Sequence, residues 1–252
     1  MKKFALLLFV LALIPISSLR AQENTRGTVV YEEVAKIEIQ LEGEMAHLMK
    51  DMPKERRSEK VLFFSPEATV YKNLEKEEEE SMASEAGMRI MMSQPDNVLH
   101  LDLANKEMVE QKEFMTRMFL INSEIPEIEW KITGQQKMIL DFPCMEATQT
   151  DTSGVVTSAW FTPSIPVQSG PAKYFNLPGL VLEVDKDNGK MQFIAKSVSF
   201  DAPDKSLLKK PKDGKKVTKE EYDRIVEEKI KEMGGSTGGD GVHSNIVIRI
   251  KH

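Results

Sequence analysis

Apolar and polar residues alternate along much of the chain, and the first such stretch ends with Ile37, Ile39 and Leu41, which polar residues separate. A period of two residues is typical of a β-strand with one face buried. Similar stretches follow as far as Phe200. We therefore predict strands at Thr28–Leu41, Lys60–Phe64, Ala68–Asn73, Val98–Asp102, Glu107–Phe114, Arg117–Ile121, Glu127–Thr133, Lys137–Asp141, Cys144–Thr150, Val155–Phe161, Leu180–Asp185 and Met191–Phe200.

The connections between these stretches are short, polar and rich in glycine or proline, which favours antiparallel pairing. The Asp-Asn-Gly sequence at residues 187–189 is typical of a hairpin turn. A glycine-rich stretch at residues 234–241 leads to alternating isoleucines at residues 246–250, which predict a last strand.

A helix is predicted after Thr218, because Thr218 and Glu221 have the spacing of a capping box. Apolar residues then recur at helical spacing as far as Met233, where a glycine pair ends the pattern. A shorter helix is predicted within Gly43–Met52. The charged, methionine-bearing stretch from Glu75 to Met92 predicts a helical or mobile excursion rather than a strand.

These patterns predict a mostly β (α+β) fold for residues 22–252, as a single domain. We expect a curved antiparallel sheet or an open half-barrel, with one or two covering helices. About 230 residues are enough for one domain with a sizeable core. The layout is similar to that of periplasmic lipoprotein-carrier folds, although likeness of fold does not fix function.

Residues 1–21 predict a secretory signal peptide. Lys2 and Lys3 precede an apolar run from Phe4 to Ile16, and small residues follow it. The run is shorter than the roughly 20 residues that a transmembrane helix needs. We therefore expect an exported chain in the periplasm or outer envelope, with no transmembrane segment after the signal is removed.

Charge and cysteine content narrow the function classes. The formal net charge is -6, with basic and acidic residues interspersed, which argues against a nucleic-acid partner. Cys144 is the one cysteine, so it has no partner for an intramolecular disulfide. Its neighbours Phe142, Pro143 and Met145 are apolar, which predicts a buried, inert thiol.

The stretch from Ala159 to Leu182 has the sequence AWFTPSIPVQSGPAKYFNLPGLVL. It combines aromatic residues with four prolines and two glycines. Pro163 and Pro166 exclude a helix and favour extended backbone before them. Pro178 and Gly179 are typical of a type II turn, whose second central residue needs a positive φ.

This stretch resembles the GLPGLI family of Bacteroidetes envelope proteins, whose members carry an AW-aromatic-TP-x-IP run, a GP step and the hexapeptide seen here as Asn-Leu-Pro-Gly-Leu-Val at residues 176–181. The resemblance implies envelope location and no established activity. Asn176 replaces the family's usual glycine, and asparagine best tolerates the same left-handed backbone. Ala172 stands where the family commonly has tryptophan.

A rigid extended loop with aromatic residues has two interpretations. Its side chains pack the core and set a corner, or they form a recognition surface that loses little entropy on binding. The residues of this candidate ligand-binding surface are Trp160, Phe161, Pro163, Pro166, Gly170, Pro171, Tyr174, Leu177, Pro178, Gly179 and Leu180.

Methionine is unusually frequent, with 15 residues in the chain. It fills irregular cores and lines adaptable apolar surfaces, and this interpretation is favoured. The alternative is a Cu(I) site, because thioether and imidazole groups suit that ion. The candidate metal residues are Met45, His47, Met49 and Met52, of which Met45 and Met49 share a helical face.

The motifs of common enzyme families are absent from the sequence, including the nucleophile elbow, the Walker loop and the HExxH zinc motif. We therefore predict a non-enzymatic binding or accessory protein without a cofactor, which holds a lipid-like or peptide ligand or an outer-membrane protein. Copper handling and an envelope enzyme of unrecognised type are the alternatives.

Overall fold

Strands dominate the computed structural model, which describes residues 23–36, 54–74, 80–83, 89–93, 95–232 and 247–250. A 3-10 turn at Glu23–Thr25 precedes them. The fifteen strands among these residues are β1 (Gly27–Lys36), β2 (Glu55–Phe64), β3 (Ala68–Asn73), β4 (Glu80–Ala83), β5 (Arg89–Ser93), β6 (Val98–Asp102), β7 (Glu107–Phe114), β8 (Arg117–Glu124), β9 (Lys131–Ile139), β10 (Phe142–Thr150), β11 (Val156–Thr162), β12 (Leu180–Lys186), β13 (Met191–Ser199), β14 (Lys215–Val217) and β15 (Val247–Ile250).

Twelve strands form one sheet in the order β14-β8-β7-β6-β3-β2-β1-β13-β12-β11-β10-β9. All neighbours pair antiparallel except β14, which pairs parallel with β8. The sheet is not closed, because β14 and β9 do not pair with each other. The prediction of a mostly β fold with antiparallel pairing is confirmed.

The predicted turn at residues 187–189 is confirmed. Asp187, Asn188 and Gly189 all have positive φ, and the strands on either side, β12 and β13, pair antiparallel. Most of the predicted strands also recur with similar bounds. β1 is described as far as Lys36, so Ile37, Ile39 and Leu41 lie outside the described residues.

The prediction for the stretch from Glu75 to Met92 was wrong where the structure describes it. β4 pairs with β5, and β15 pairs with the other edge of β5, which makes a second sheet of three strands. Local sequence could not indicate this, because one of the pairing partners comes from residues 247–250, far along the chain. The last predicted strand, within residues 246–250, is confirmed.

The predictions of separate strands at residues 127–133 and 137–141 were also wrong. Residues 125–130 have no regular structure, and β9 runs without a break from Lys131 to Ile139. The pairing of β9 with β10 shifts near Gly134, which has a φ of +86°. The glycine that separates the two predicted strands is therefore a bulge inside one strand.

One α-helix, α1 (Lys219–Glu232), lies within the described residues. The predicted capping box is confirmed: the Glu221 N–H donates to Thr218 Oγ1 (3.1 Å), and the Thr218 N–H donates to a Glu221 carboxylate oxygen (3.0 Å). Tyr222 packs edge-on against Phe119 of β8, with ring centroids 5.4 Å apart. The helix predicted within residues 43–52 lies outside the described residues.

The largest hydrophobic cluster joins the large sheet to the connection between β11 and β12. It contains Leu62, Phe64 and Leu101 from the sheet, and Ile165 and Phe175 from that connection. All five are at most 2% exposed. Burial of such side chains contributes about 1.5–3 kcal/mol each, so the connection is part of the core. No helix in the described part of the chain is long and apolar enough to cross a membrane.

Candidate functional site

The connection between β11 and β12, residues 163–179, is here named the motif loop. Its backbone is not paired in the sheet, but it forms hydrogen bonds within the loop and with the start of β12, where the Val181 N–H donates to the Ser169 carbonyl at 3.0 Å. The N–H groups of Val167 and Ser169 donate to the carbonyls of Ile165 and Val167, both at 2.8 Å, and the Leu180 N–H returns to the Ile165 carbonyl at 3.0 Å. These bonds satisfy backbone groups that burial would otherwise leave unpaired.

Three motif-loop residues explain the backbone path. Asn176 has a φ of +68°, which confirms the left-handed conformation predicted for it. Gly179 has a φ of +153°, far from the roughly +80° of a type II turn, and its N–H donates to the Leu177 carbonyl at 2.8 Å, so the chain turns more tightly here than the predicted type II turn. A side chain at Gly179 would overlap the Thr162 carbonyl. Gly170 has no room for a side chain, because a Cβ atom would lie 2.5 Å from the Tyr174 carbonyl oxygen.

Buried polar bonds fasten the motif loop to the sheet. Ser169 Oγ lies 3.0 Å from Thr69 Oγ1 of β3, and both residues are at most 1% exposed. The ammonium of Lys173 donates to the carboxylate of Glu110 on β7 at 2.7 Å. The indole N–H of Trp130 donates to the Phe175 carbonyl at 2.9 Å. The loop therefore reaches across the sheet from β11 to β7.

The residues of the predicted ligand-binding surface differ in how far they are buried. Phe161, Gly170, Pro171, Leu177, Gly179 and Leu180 are buried, Trp160 and Tyr174 are half-buried, and Pro163, Pro166 and Pro178 are exposed. The buried members hold the loop in place, which matches the interpretation that the stretch packs the core. The exposed prolines are the members that remain accessible to a ligand.

An open cleft of about 590 Å³ lies beside the motif loop. It is situated where the turns between β2 and β3 and between β6 and β7 meet the chain that follows β8. Its lining residues are Pro66, Leu103, Lys106, Ile125, Glu127, Ile128, Pro166, Val167, Gln168 and Asn176. Of the predicted surface residues, the cleft thus includes Pro166.

Hydrogen bonds connect the walls of this cleft. The Leu103 N–H donates to the Glu67 carbonyl at 2.9 Å and ties the two turns together, and the Ile125 N–H donates to the Lys106 carbonyl at 2.9 Å. The side-chain amide of Asn176 donates to the Pro126 carbonyl at 2.7 Å, which fixes the motif loop to the opposite wall. These bonds fix the walls of the cleft relative to one another.

The cleft has an apolar majority and a few polar groups. Six lining residues are proline, leucine, isoleucine or valine, and four are polar or charged. Lys106 and Glu127 are exposed and of opposite charge. An apolar pocket with a small number of polar groups is the usual form of a binding site.

Sequence reasoning missed most of the cleft. Pro66, Leu103 and Ile125 lie in three connections that are distant in sequence and come together through strand pairing alone. A local signal existed only for Pro66 and Pro166, since a proline outside the strands fixes its own backbone φ. The candidate metal residues Met45, His47, Met49 and Met52 lie outside the described residues.

The predicted burial of Cys144 is confirmed, at 1% exposure. Burial raises the pKa of its thiol to about 11, so the thiol stays protonated and unreactive at neutral pH. His100 is also buried, at 5% exposure, and burial lowers its pKa. Neither side chain lines the cleft.

Residues 149–183 match the model of a family described as a protein of unknown function, Porph_ging. This match is consistent with a Bacteroidetes family protein. It includes the stretch that resembles the GLPGLI family and the whole motif loop, and the relation to GLPGLI itself remains a prediction. No curated protein matches the chain.

Two crystal structures of PNGF-II, in space groups P21 and C2, are similar to this fold. Each is 17% identical in sequence, with a TM-score of 0.55, and the similarity covers 80% of this chain. The chain spans about a third of the PNGF-II chain, 33% and 32% in the two structures. At this identity the likeness concerns the fold alone.

Proposed function

We propose that the protein is a non-enzymatic binding protein of the cell envelope, and that the cleft beside the motif loop holds an extended peptide segment with apolar side chains. The observation that carries the proposal is the preformed cleft, whose walls are joined by the bonds of Leu103, Ile125 and Asn176. A preformed site binds without the entropic cost of ordering its walls.

The lining favours a peptide over an acyl chain. Pro66, Ile128 and Pro166 offer apolar surface, while Gln168 and Asn176 carry amides, and Lys106 and Glu127 carry charges of both signs. An amide both donates and accepts hydrogen bonds, so these groups can pair with peptide N–H and C=O groups. An acyl chain offers these groups no hydrogen-bonding partner.

The lining residues also support a binding role over catalysis. The ten described residues that line the cleft include no serine, threonine, cysteine or histidine. Nucleophilic catalysis by a hydroxyl, thiol or imidazole needs such a side chain with an activating group beside it. In our proposal the signal peptide exports the chain, and the peptide belongs to an exported or outer-membrane protein.

Selection from a random dodecapeptide phage library tests the proposal. The immobilised protein selects peptides, and a Gln168→Trp variant, whose indole fills the cleft, serves for counter-selection. Gln136→Trp is the matched control, because Gln136 is exposed on β9 and lies outside the cleft lining. Fluorescence anisotropy then measures the affinity of each selected peptide for the three proteins.

We expect the selected peptides to lose at least about tenfold in affinity for Gln168→Trp, equivalent to about 1.4 kcal/mol, and to keep it for Gln136→Trp. Loss of affinity in both variants, or in neither, would contradict a peptide site in the cleft. Binding of the apolar dye N-phenyl-1-naphthylamine without enrichment of any peptide would favour a lipid-like ligand instead.

A further inference from the structure

A buried carboxylate on β7 holds two ammonium groups. The side chain of Glu110 is 5% exposed, and its two oxygens contact different lysines: Lys173 of the motif loop at 2.7 Å and Lys112 of the same strand at 3.2 Å. Burial alone would raise the pKa of Glu110, but the two positive charges outweigh burial and lower it. The single negative charge of Glu110 is therefore shared between the ammonium groups of Lys112 and Lys173.

The two lysines are not equivalent. Lys112 has a second stabilising contact, because its ammonium lies 5.2 Å from the centre of the Tyr222 ring, within the range of a cation–π interaction. The pKa of Lys173 is lowered by burial and by the positive charges of Lys112 and Lys219, which together outweigh the opposite effect of Glu110.

Lys173 is also within reach of small molecules. Its side chain is 31% exposed, compared with 21% for Lys112 and 5% for Glu110. An accessible amine whose pKa is lowered by burial and by a neighbouring cation has the properties of a lysine nucleophile. Because the pKa of Glu110 is itself lowered, the proton that the ammonium must lose before it reacts goes to solvent.

We propose that Lys173 is a carbonyl-reactive site that binds a small aldehyde or ketone as an imine. The Lys173 ammonium first loses its proton to water. The neutral amine then attacks the carbonyl carbon, and a carbinolamine forms whose oxygen takes up a proton. The carbinolamine hydroxyl leaves as water, so the balance is amine plus carbonyl to imine plus water, without an oxidant or reductant.

This site is separate from the cleft, since neither Lys173 nor Glu110 is among the cleft lining. The inference therefore does not depend on the proposed peptide-binding function. Both sites share the motif loop, which contributes Pro166 to the cleft and Lys173 to the cluster.

Reductive trapping tests the proposal. The full-length protein is treated at pH 7 with butanal and sodium cyanoborohydride, and the butylated lysines are quantified by peptide mass spectrometry. Lys219 is the internal reference, because its side chain is 49% exposed against 31% for Lys173. Exposure alone would thus make Lys219 react faster, whereas we expect Lys173 to react at least about tenfold faster.

Two further measurements separate a low pKa from simple accessibility. The rate at Lys173 should reach its plateau at lower pH than the rate at Lys219. In a Lys112→Gln variant, loss of the neighbouring cation should raise the pKa of Lys173, slow its labelling at pH 7 several-fold and leave Lys219 unchanged. Equal rates at Lys173 and Lys219 in the wild-type protein, or identical pH profiles, would overturn the proposal.

Discussion

Two neighbouring tyrosines in the core differ in how their hydroxyl groups are satisfied. Tyr31 donates to the Val181 carbonyl at 2.6 Å, while the buried Tyr71 hydroxyl finds no hydrogen-bond partner in the described part of the chain. The rings meet edge-on, with centroids 6.2 Å apart. The pair therefore isolates the contribution of one hydrogen bond in nearly the same surroundings.

We expect Tyr31→Phe and Tyr71→Phe to change stability in opposite directions. Loss of the Tyr31 bond leaves the Val181 carbonyl unpaired and should lower the free energy of unfolding by about 1–3 kcal/mol. Removal of the unpaired Tyr71 hydroxyl should leave the free energy of unfolding unchanged or raise it by up to about 1 kcal/mol. Urea denaturation measures both, and equal losses would show that Tyr71 has a partner.

Gly170 tests the packing of the motif loop. A Cβ atom there would lie 2.5 Å from the Tyr174 carbonyl oxygen and 2.6 Å from Val181 Cβ, so Gly170→Ala should cost about 2–4 kcal/mol through overpacking. Gly154 has a φ of +86° and open space around it, so Gly154→Ala should cost only about 1 kcal/mol of backbone strain. Similar costs in thermal denaturation would show that the loop is loosely packed.

At the scale of elements, the connection between β13 and β14 crosses the sheet over β6 and β7. Lys210 of this connection pairs with Glu107 at 3.0 Å, and the Gln111 amide donates to the Asp213 carbonyl at 3.1 Å. His100 of β6 lies beneath it, with a hydrogen bond to the Leu208 backbone. The Nδ1 atom of His100 is buried without a partner among the described residues.

This arrangement predicts a loss of stability in acid. Burial lowers the pKa of His100, although Asp102 acts in the opposite direction, and Lys210 adds to the lowering. The neutral ring therefore contributes its full stabilisation above its ordinary pKa of about 6.5. The contribution falls as the pH drops toward the lower pKa of the folded state. The protection factors of the amides in residues 201–213, obtained from hydrogen exchange corrected for its intrinsic pH dependence, should fall over this range.

A His100→Gln variant is the control for this prediction, because glutamine retains a hydrogen-bonding amide and does not titrate. Its protection factors in residues 201–213 should depend less on pH between about 6.5 and 4.5 than those of the wild-type protein. The same pH dependence in both proteins would assign the effect to other groups, such as the Lys210–Glu107 pair.

The elements themselves were largely predictable, because their signals are local. The Thr218 capping box, the turn at residues 187–189 and the left-handed Asn176 each depend on the preferences of a few adjacent residues. Prediction failed at β4 and β5, where the structure depends on pairing with β15. It also failed at β9, because the bulge at Gly134 interrupts the sequence pattern of a strand that is continuous in the structure.

At the scale of the whole molecule, the cleft and the charged cluster were not predictable. Glu110 and Lys173 are 63 residues apart and meet because the motif loop crosses the sheet. Ser169 and Thr69 are 100 residues apart and meet for the same reason. The sequence indicated that the motif loop is rigid, but the residues it meets follow from the strand order, which no local pattern encodes.

The motif loop therefore links the core to the two proposed sites. Its buried residues are part of the core, and its accessible residues contribute to both sites. Substitutions that leave the loop folded should separate these sites. We expect Lys173→Arg to abolish carbonyl trapping and to retain peptide affinity within about twofold, because arginine preserves the charge beside Glu110. Loss of both properties in a folded protein would show that the two sites are coupled.

The most direct test of the central claim locates the bound peptide. Methyl resonances of isoleucine, leucine and valine are recorded by NMR while a selected peptide is added. We expect the largest shifts at Leu103, Ile125 and Ile128 of the cleft, and none at Ile132, which is 50% exposed on β9. Shifts centred on Ile132, or no shifts at the three cleft residues when the peptide is bound, would contradict the claim.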